Sequence, residues 1–400
     1  MTDVCATLNY HELRAMAQRF LPRGVFEYID RGSEDEHALR ELAQAWRHWQ
    51  LMPQVMVDVT QRDCSTTIFG RQQASPVVIA PTAMAGLVRH NGEVLMAQAA
   101  AQAGVPFCVA TQSIMPIERI AAMAPEADLW FQLYHWEDRA LAHDLVRRAH
   151  DAGARVLVLT ADTVIAANRE YNTRNGFGIP LQPSVRGAWD VLSHPRWLVS
   201  TLLRSSLCDG VPTFAHYPPE FRSAVTRPSI SKRIQVAQSL SWEDIAALRK
   251  LWPGPLVLKG VLRVEDARRA MDCGLDGVVV SSHGARNVDS APAPIDVLPG
   301  IADAVGKHLT VLMDSGVRRG SDVAKALALG ARGVMVGRLP LWGMAAGGSR
   351  GAAHALALLR EELLSTMALT GCPSLSALDA TLIQKSLIQK SFSALSAADR

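Results

Sequence analysis

Thr310-Val-Leu-Met-Asp314-Ser315-Gly316-Val317-Arg318 and, a helix-length later, Gly333-Val-Met-Val-Gly337-Arg338 are the two stretches on which the fold assignment turns. Each is a short apolar, β-branched run that closes on glycine and a basic residue, the chemistry of a phosphate cradle. Working back along the chain, six more such runs appear: Val77–Pro81, Pro106–Ala110, Leu129–Leu133, Val156–Thr160, Leu256–Gly260 and Gly277–Ser281, with Thr310–Asp314 and Gly333–Gly337 completing the series. Each is followed by helical periodicity or a long insertion, and this βαβα rhythm calls for parallel strands with helical crossovers. Eight of them predict a closed (β/α)8 TIM barrel of the α/β class, in which a phosphate site after the last two strands is usual. An open doubly wound sheet would carry a Gly-rich turn after its first strand, where this chain has Thr82-Ala83-Met84-Ala85-Gly86.

Two segments lie outside the rhythm. Residues 1–76 hold helical stretches around His11–Arg19 and Ser33–Trp46 and read as an N-terminal helical cap. Residues 161–240, after strand four, are far longer than an ordinary βα loop. Within them Trp189, Trp197, Leu198, Leu202, Leu203 and Phe214 stand among Arg186, Arg196, Arg204, Arg222, Arg227, Lys232 and Arg233, with few acids. Two readings stay open, a membrane-surface segment or a solvated lid whose aromatics pack on the barrel. Cap, barrel and insertion form one expected domain over 1–373, and 374–400 is a tail, frayed or helical, with Leu-Ile-Gln-Lys-Ser twice in tandem at 382–391.

Composition narrows the function. With 48% hydrophobic residues the 400-residue chain builds a large core, and a net charge of +3 argues against a nucleic-acid partner. The six cysteines show no Cys-x-x-Cys pair or zinc spacing, so no metal is expected and the thiols are read as reduced packing groups. His11, Glu12 and Arg14 precede any apolar run, and no run approaches the ~18 residues of a membrane span, so the expected address is cytoplasmic.

Barrel enzymes assemble their sites at the C-terminal strand ends, and here those ends are polar: Thr82, Thr111, Gln132 with Tyr134, Thr160 with Asp162, Lys259, Ser281 with His283 and Arg286, Asp314 with Arg318, and Gly337 with Arg338. Such a row implies a ligand. His283, with Asp162 and Arg286 on nearby loops, reads as a general base, against the alternative of a structural histidine. Arg169 and Arg286 offer planar forks for a carboxylate, or else make surface salt bridges. Lys259 either stabilises negative charge on a ligand or pairs with Asp314.

The stretch Ser281-Ser282-His283-Gly284-Ala285-Arg286-Asn287-Val288-Asp289 resembles the S-N-H-G-G/A-R-Q-L-D signature of the FMN-dependent α-hydroxy acid oxidases and dehydrogenases. The resemblance continues in order through Phe26-Glu27-Tyr28, Ala80-Pro81-Thr82-Ala83, Phe131-Gln132-Leu133-Tyr134, Leu159-Thr160-Ala161-Asp162, Lys259-Gly260 and Asp314-Ser315-Gly316-Val317-Arg318-Arg319-Gly320, spanning about residues 8–373. The insertion is most similar to those of membrane-associated mandelate and lactate dehydrogenases, which pass electrons to quinones.

The resemblance implies a flavoprotein oxidoreductase that uses FMN to convert an (S)-2-hydroxy acid to the 2-keto acid. By position it makes His283 the base oriented by Asp162, places the substrate carboxylate on Arg169, Arg286 and Tyr28, and sets Tyr134 by the hydroxyl. It puts Lys259 beside the flavin ring, Pro81, Thr82, Ala83, Gln132, Thr160, Ser281, Asp314, Gly316 and Arg318 around the cofactor, and Gly337 and Arg338 at its phosphate. Met84, Gln112, Ile165 and Ala166 match pocket positions that set substrate size, and a mandelate-like or lactate-like acid is expected. A homotetramer and peripheral contact of 186–235 with the inner face of the cytoplasmic membrane, with a quinone acceptor, follow from the same likeness. Asp162 should raise the His283 pKa. The chain departs from the family at Ala110 (serine in many members), Ser282 (asparagine), Asn287 (glutamine) and through Ala166–Tyr171. An oxygen-using oxidase and a non-catalytic flavin-binding paralogue are the alternatives.

Overall fold

Runs such as Val77-Val78-Ile79 form strands whose every residue is buried, which is why they read as continuous apolar segments and not as alternating ones. The computed structural model describes residues 3–176, 184–225 and 231–386. Its central strands are β1 (Val77–Ile79), β2 (Phe107–Ala110), β3 (Leu129–Leu133), β4 (Val156–Thr160), β5 (Leu256–Val261), β6 (Gly277–Val280), β7 (Thr310–Met313) and β8 (Gly333–Val336). All pair in parallel with their sequence neighbours, and β8 returns to β1 through Val334↔Val77, Met335↔Val78 and Val336↔Ile79, closing the expected barrel.

Side chains alternate across a strand, so one phase of each strand points inward. The inward residues Val78, Cys108, Trp130, Val156, Val158, Val257, Val279, Leu312 and Met335 form one apolar cluster. Two residues further along, the same phase reaches Gln132, Thr160, Lys259, Ser281, Asp314 and Gly337. Five of the eight strands, β3 to β7, therefore change from apolar to polar at this layer.

The opposite end is sealed. A hairpin of Thr66–Ile68 and Arg71–Gln73 sends Ile68 into the inner cluster and sets Phe69 edge-on to Trp130, ring centres 5.5 Å apart. Arg155 donates to the Phe69 carbonyl at 2.8 Å and pairs with Asp128, which pins the hairpin.

The cap contains the two expected helices, at Tyr10–Phe20 and His37–His48, and a third, Arg23–Asp30, that its short length kept out of the periodicity reading. It docks on the Arg338–Leu369 helical segment, which is interrupted at Gly347-Gly348. The tail differs from expectation. Ile383–Lys385 is a strand, antiparallel to Trp49–Leu51, whose backbone groups it pairs. The second copy of the repeat, at 387–391, lies outside the described residues.

The insertion carries helices at Glu170–Asn175, Val185–Leu192 and Pro195–Trp197, the last continuing through a π-helical stretch into Arg204–Cys208. Its apolar residues divide into a buried and an exposed set. Trp197 and Phe214 are buried on the barrel, with Trp197 Nε1 donating to the Leu87 carbonyl at 2.8 Å. Val185, Trp189, Leu192, Val199, Leu203, Leu207 and Val211 are exposed. Arg227 lies outside the described residues. Among the described residues no helix is long and apolar enough to cross a membrane.

Candidate active site

A cavity of about 770 Å³ opens above the polar layer, within the ~300–1,000 Å³ range of small-ligand sites. At its wall His283 Nδ1 lies 3.0 Å from Asp162 Oδ1, and His283 Nε2 lies 3.3 Å from Tyr134 Oη. The histidine sits in a tight turn just past β6 with φ of 56°, a left-handed conformation uncommon outside glycine, which neighbouring bonds constrain. The constraint is visible: Ser281 Oγ accepts the His283 N–H at 3.0 Å, and Ser315 Oγ accepts the Gly284 N–H at 2.9 Å. Gly260 lets Asp162 approach, since a Cβ there, at φ of +103°, would sit 2.5 Å from the Asp162 Cβ.

The electrostatics correct one expectation. Burial lowers the His283 pKa from 6.5, and this outweighs Asp162, which acts upward as expected. For Asp162, burial acts upward but His283 and Lys259 hold the carboxyl down at about 2. Tyr134 is pushed up to about 12 by burial and by Asp162, so its hydroxyl stays a donor. The dyad is thus a neutral imidazole on an ionised carboxylate, the resting state of a general base.

Lys259 makes the foreseen pair with Asp314. Its Nζ lies 2.8 Å from Asp314 Oδ2 and 2.8 Å from Ser281 Oγ, and the residue also lines the cavity. A register shift between Lys259 and Val261 marks a bulge where β5 meets β6. Burial pulls the Lys259 pKa down, but Asp314 and Asp162 reverse this and leave it raised.

Four arginines line the rest of the cavity. Arg169 donates to the Arg286 carbonyl at 2.9 and 3.1 Å; Arg286 donates to the Tyr28 and Arg31 carbonyls, with its guanidinium 4.9 Å from the Tyr28 ring. Arg338 donates to the Ile29 and Gly284 carbonyls, and Arg318 lies over the Tyr10 ring at 5.1 Å. Among the described residues none of the four has a carboxylate within ion-pair distance. Guanidinium groups gathered in this way select anions.

The fit of a flavin cofactor can be tested on orphaned atoms. Thr82 Oγ1 and Gln132 Nε2 are buried with no hydrogen-bond partner, and both residues line the cavity. Gln132 Oε1 is already engaged by the Thr111 N–H at 3.2 Å, so its amide nitrogen is the free end. Unpaired donors, a buried lysine and unneutralised arginines around one cavity suit an anionic heteroaromatic cofactor.

Pro81, Thr82, Ala83, Gln132, Tyr134, Thr160, Asp314, Gly316, Arg318, Gly337 and Arg338 line the cavity, as do Tyr28, Arg169, Gln112, Ile165 and Ala166. Ala110 lines it too, without the hydroxyl many family members bring. Three expected residues do not. Asp162 meets the site through His283 Nδ1, Met84 is turned into an apolar cluster with Leu87, Phe214 and Val225, and Ser281 is fully buried between Lys259 and the His283 N–H. Thr111, one of the polar strand ends, clamps Gln132 and Tyr134 through its hydroxyl. Two further residues escaped the sequence reading: Tyr10 reaches the cavity wall from the cap, and Thr163 touches the dyad. Only Thr163 had a signal, its place beside Asp162.

A closed barrel with a histidine–carboxylate dyad and an arginine-lined anion cavity defines a (β/α)8 enzyme acting on a small anion. The family model described as FMN-dependent dehydrogenase matches residues 17–385. The chain is 37% identical over 376 residues to (S)-mandelate dehydrogenase of Pseudomonas putida, covering 94% of this chain and 93% of that protein. It is also 37% identical over 372 residues to 2-hydroxyacid oxidase 1 of Homo sapiens, covering 92% and 94%. A crystal structure described as the monotopic membrane protein (S)-mandelate dehydrogenase superposes with a TM-score of 0.90 at 36% identity, covering 95% of this chain and all of that one. The chain belongs to the FMN-dependent α-hydroxy acid oxidase and dehydrogenase family. It is an enzyme, its cofactor is FMN, and its reaction class is oxidation of a 2-hydroxy acid.

Proposed function

We propose that the protein oxidises an (S)-2-hydroxy acid of mandelate or lactate type to the 2-keto acid and delivers the electrons to a quinone-type acceptor at a membrane surface. The observation that carries the reading is the meeting, in one cavity, of the His283–Asp162 dyad with Arg169 and Arg286, two guanidiniums lacking a carboxylate partner among the described residues. A 2-hydroxy carboxylate supplies the missing anion and presents its hydroxyl-bearing carbon to the base.

Arg169 and Arg286 would hold the substrate carboxylate, with Tyr28 beside them, and Tyr134 would hydrogen-bond the substrate hydroxyl. His283 Nε2 would take the proton, and Asp162 would stabilise the imidazolium formed. Thr82, Gln132, Lys259 and Asp314 would hold the cofactor ring and chain, and Gly337, Arg338 and Arg318 its phosphate end. FMN, when bound, supplies the acceptor for the two electrons that leave the substrate carbon. Lys259, a buried cation, favours the added negative charge.

The exposed apolar row from Val185 to Val211, flanked by Arg186, Arg196 and Arg204, supports a membrane-surface acceptor. Relatives named dehydrogenase and oxidase match at the same 37% identity, which keeps molecular oxygen as the second reading. The test is the reoxidation of the substrate-reduced enzyme by a soluble quinone and by air-saturated buffer. Faster quinone turnover supports the proposal, and stoichiometric hydrogen peroxide at a matching rate favours the oxidase.

A further inference from the structure

We infer that Thr163 and Asn287 are positioning residues for the base: a relay from the Asn287 amide through the Thr163 hydroxyl to Asp162 Oδ1 fixes the His283 tautomer and limits how strongly Asp162 holds the His283 proton. The inference rests on the reading of His283 as the base.

Asn287 Nδ2 lies 2.7 Å from the Asp162 carbonyl oxygen and 2.8 Å from Thr163 Oγ1. An amide nitrogen only donates, so it occupies a lone pair of the hydroxyl and leaves the hydroxyl proton to find an acceptor. Two candidates are in reach, Asp162 Oδ1 at 3.2 Å and His283 Nδ1 at 3.3 Å. The carboxylate only accepts, and it lies 3.0 Å from the same Nδ1. A bare Nδ1 taking the hydroxyl proton would face the carboxylate lone pair to lone pair. In the arrangement free of that clash, Thr163 O–H and His283 Nδ1–H both donate to Asp162 Oδ1, which leaves Nε2 bare toward the cavity.

Asp162 Oδ1 therefore divides its acceptance between two donors. Without the Thr163 hydroxyl, the carboxylate would concentrate on His283 and stabilise the imidazolium more strongly. The base would then give up its proton only at higher pH. The other charged and titratable groups around the ring are Lys259 on β5, itself paired with Asp314, Arg169 in the insertion, and Tyr134 after β3. Of these, Tyr134 also approaches the Thr163 hydroxyl, and Lys259 and Arg169 make no hydrogen bond to Thr163 Oγ1 or Asn287 Nδ2. Asn287 is also a position at which this chain departs from the glutamine of the family signature.

The experiment is a 15N-histidine NMR titration of the FMN-loaded enzyme, with the His283 signal identified by its loss in His283→Gln, alongside the pH profile of kcat/KM with (S)-mandelate or L-lactate. Wild type should show the Nδ1-protonated neutral tautomer. Thr163→Val should titrate about half to one pH unit higher, with kcat/KM about three- to tenfold lower on the acid limb and a plateau close to wild type. Thr163→Ser should restore the wild-type midpoint, and Asn287→Leu should move it upward by less. Wild-type midpoint and tautomer in both Thr163→Val and Asn287→Leu would overturn the inference, and Asn287→Leu decides alone should Thr163→Val not fold. An NMR midpoint that moves while the kcat/KM profile stays fixed would uphold the relay and reject His283 as the base.

Discussion

The Lys259 ammonium and the Asp314 carboxylate meet at 2.8 Å with 5% and 9% of their side chains exposed, one carried by β5 and the other just past β7. Burying such a pair is costly, and removing one partner leaves an uncompensated charge in a low-dielectric site. Lys259→Met should therefore destabilise the protein by about 3–5 kcal/mol, and Lys259→Met with Asp314→Asn by clearly less. Urea unfolding of the FMN-free forms checks this, and equal losses in single and double variants would contradict it.

His283→Gln removes the base while keeping a side chain of similar size. FMN binding should persist, because the imidazole is engaged with Asp162 and Tyr134. Flavin reduction under anaerobic stopped flow should slow by roughly 10²–10⁴-fold. Reduction at a near-normal rate would exclude His283 as the base.

The pH dependence has a definite sign. His283 is lowered from 6.5 by burial, and the base works when neutral, so kcat/KM should rise through a midpoint below 6.5 and level off above it. Asp162 is depressed to about 2 from 3.8, so its contribution to stability is present above 3.8 and lost as pH falls toward 2. His283 is depressed too, so its contribution is present above 6.5 and lost as pH falls through its folded midpoint. A kcat/KM midpoint above 6.5 would contradict the burial argument.

Trp189, Leu192, Leu203 and Leu207 are exposed on the insertion, whereas Trp197, Phe214 and Ile234 in the same segment are buried. Removing 186–235 as a block would strip part of the core, so substitution of the exposed residues is the cleaner probe. Trp189→Ser with Leu207→Gln should reduce co-sedimentation with anionic phospholipid vesicles several-fold and leave the rate of flavin reduction by substrate unchanged. Unaltered sedimentation would count against docking through this face.

All eight barrel strands were legible because each is buried on both faces and so announces itself as a run such as Val156-Leu-Val-Leu-Thr160. Leu129–Leu133 and Val156–Thr160 keep their expected bounds, and the other six differ by one or two residues, as at β1, which stops at Ile79 and not Pro81. The helix Arg23–Asp30 was missed because eight residues give little periodicity, and the Ile383–Lys385 strand because its partner lies over 300 positions away. Site residues on the inward phase were legible for the same reason as the strands: Gln132, Thr160, Lys259 and Asp314 interrupt apolar runs. Met84 and Ser281 were misplaced because local position does not show which way a side chain turns once another segment, Phe214 or Lys259, arrives beside it. The Thr163–Asn287 contact joins residues 124 apart and no pattern in either stretch signals it.

The most direct test of the account is the visible spectrum of the FMN-loaded protein before and after anaerobic addition of (S)-mandelate and, separately, L-lactate. The account predicts a flavin spectrum that bleaches with at least one of them, the faster acid ranking the side chain that the pocket accepts. Bound flavin that stays oxidised with both would contradict the proposed substrate class, and a protein that takes up no FMN on reconstitution would contradict the assignment of the cavity itself.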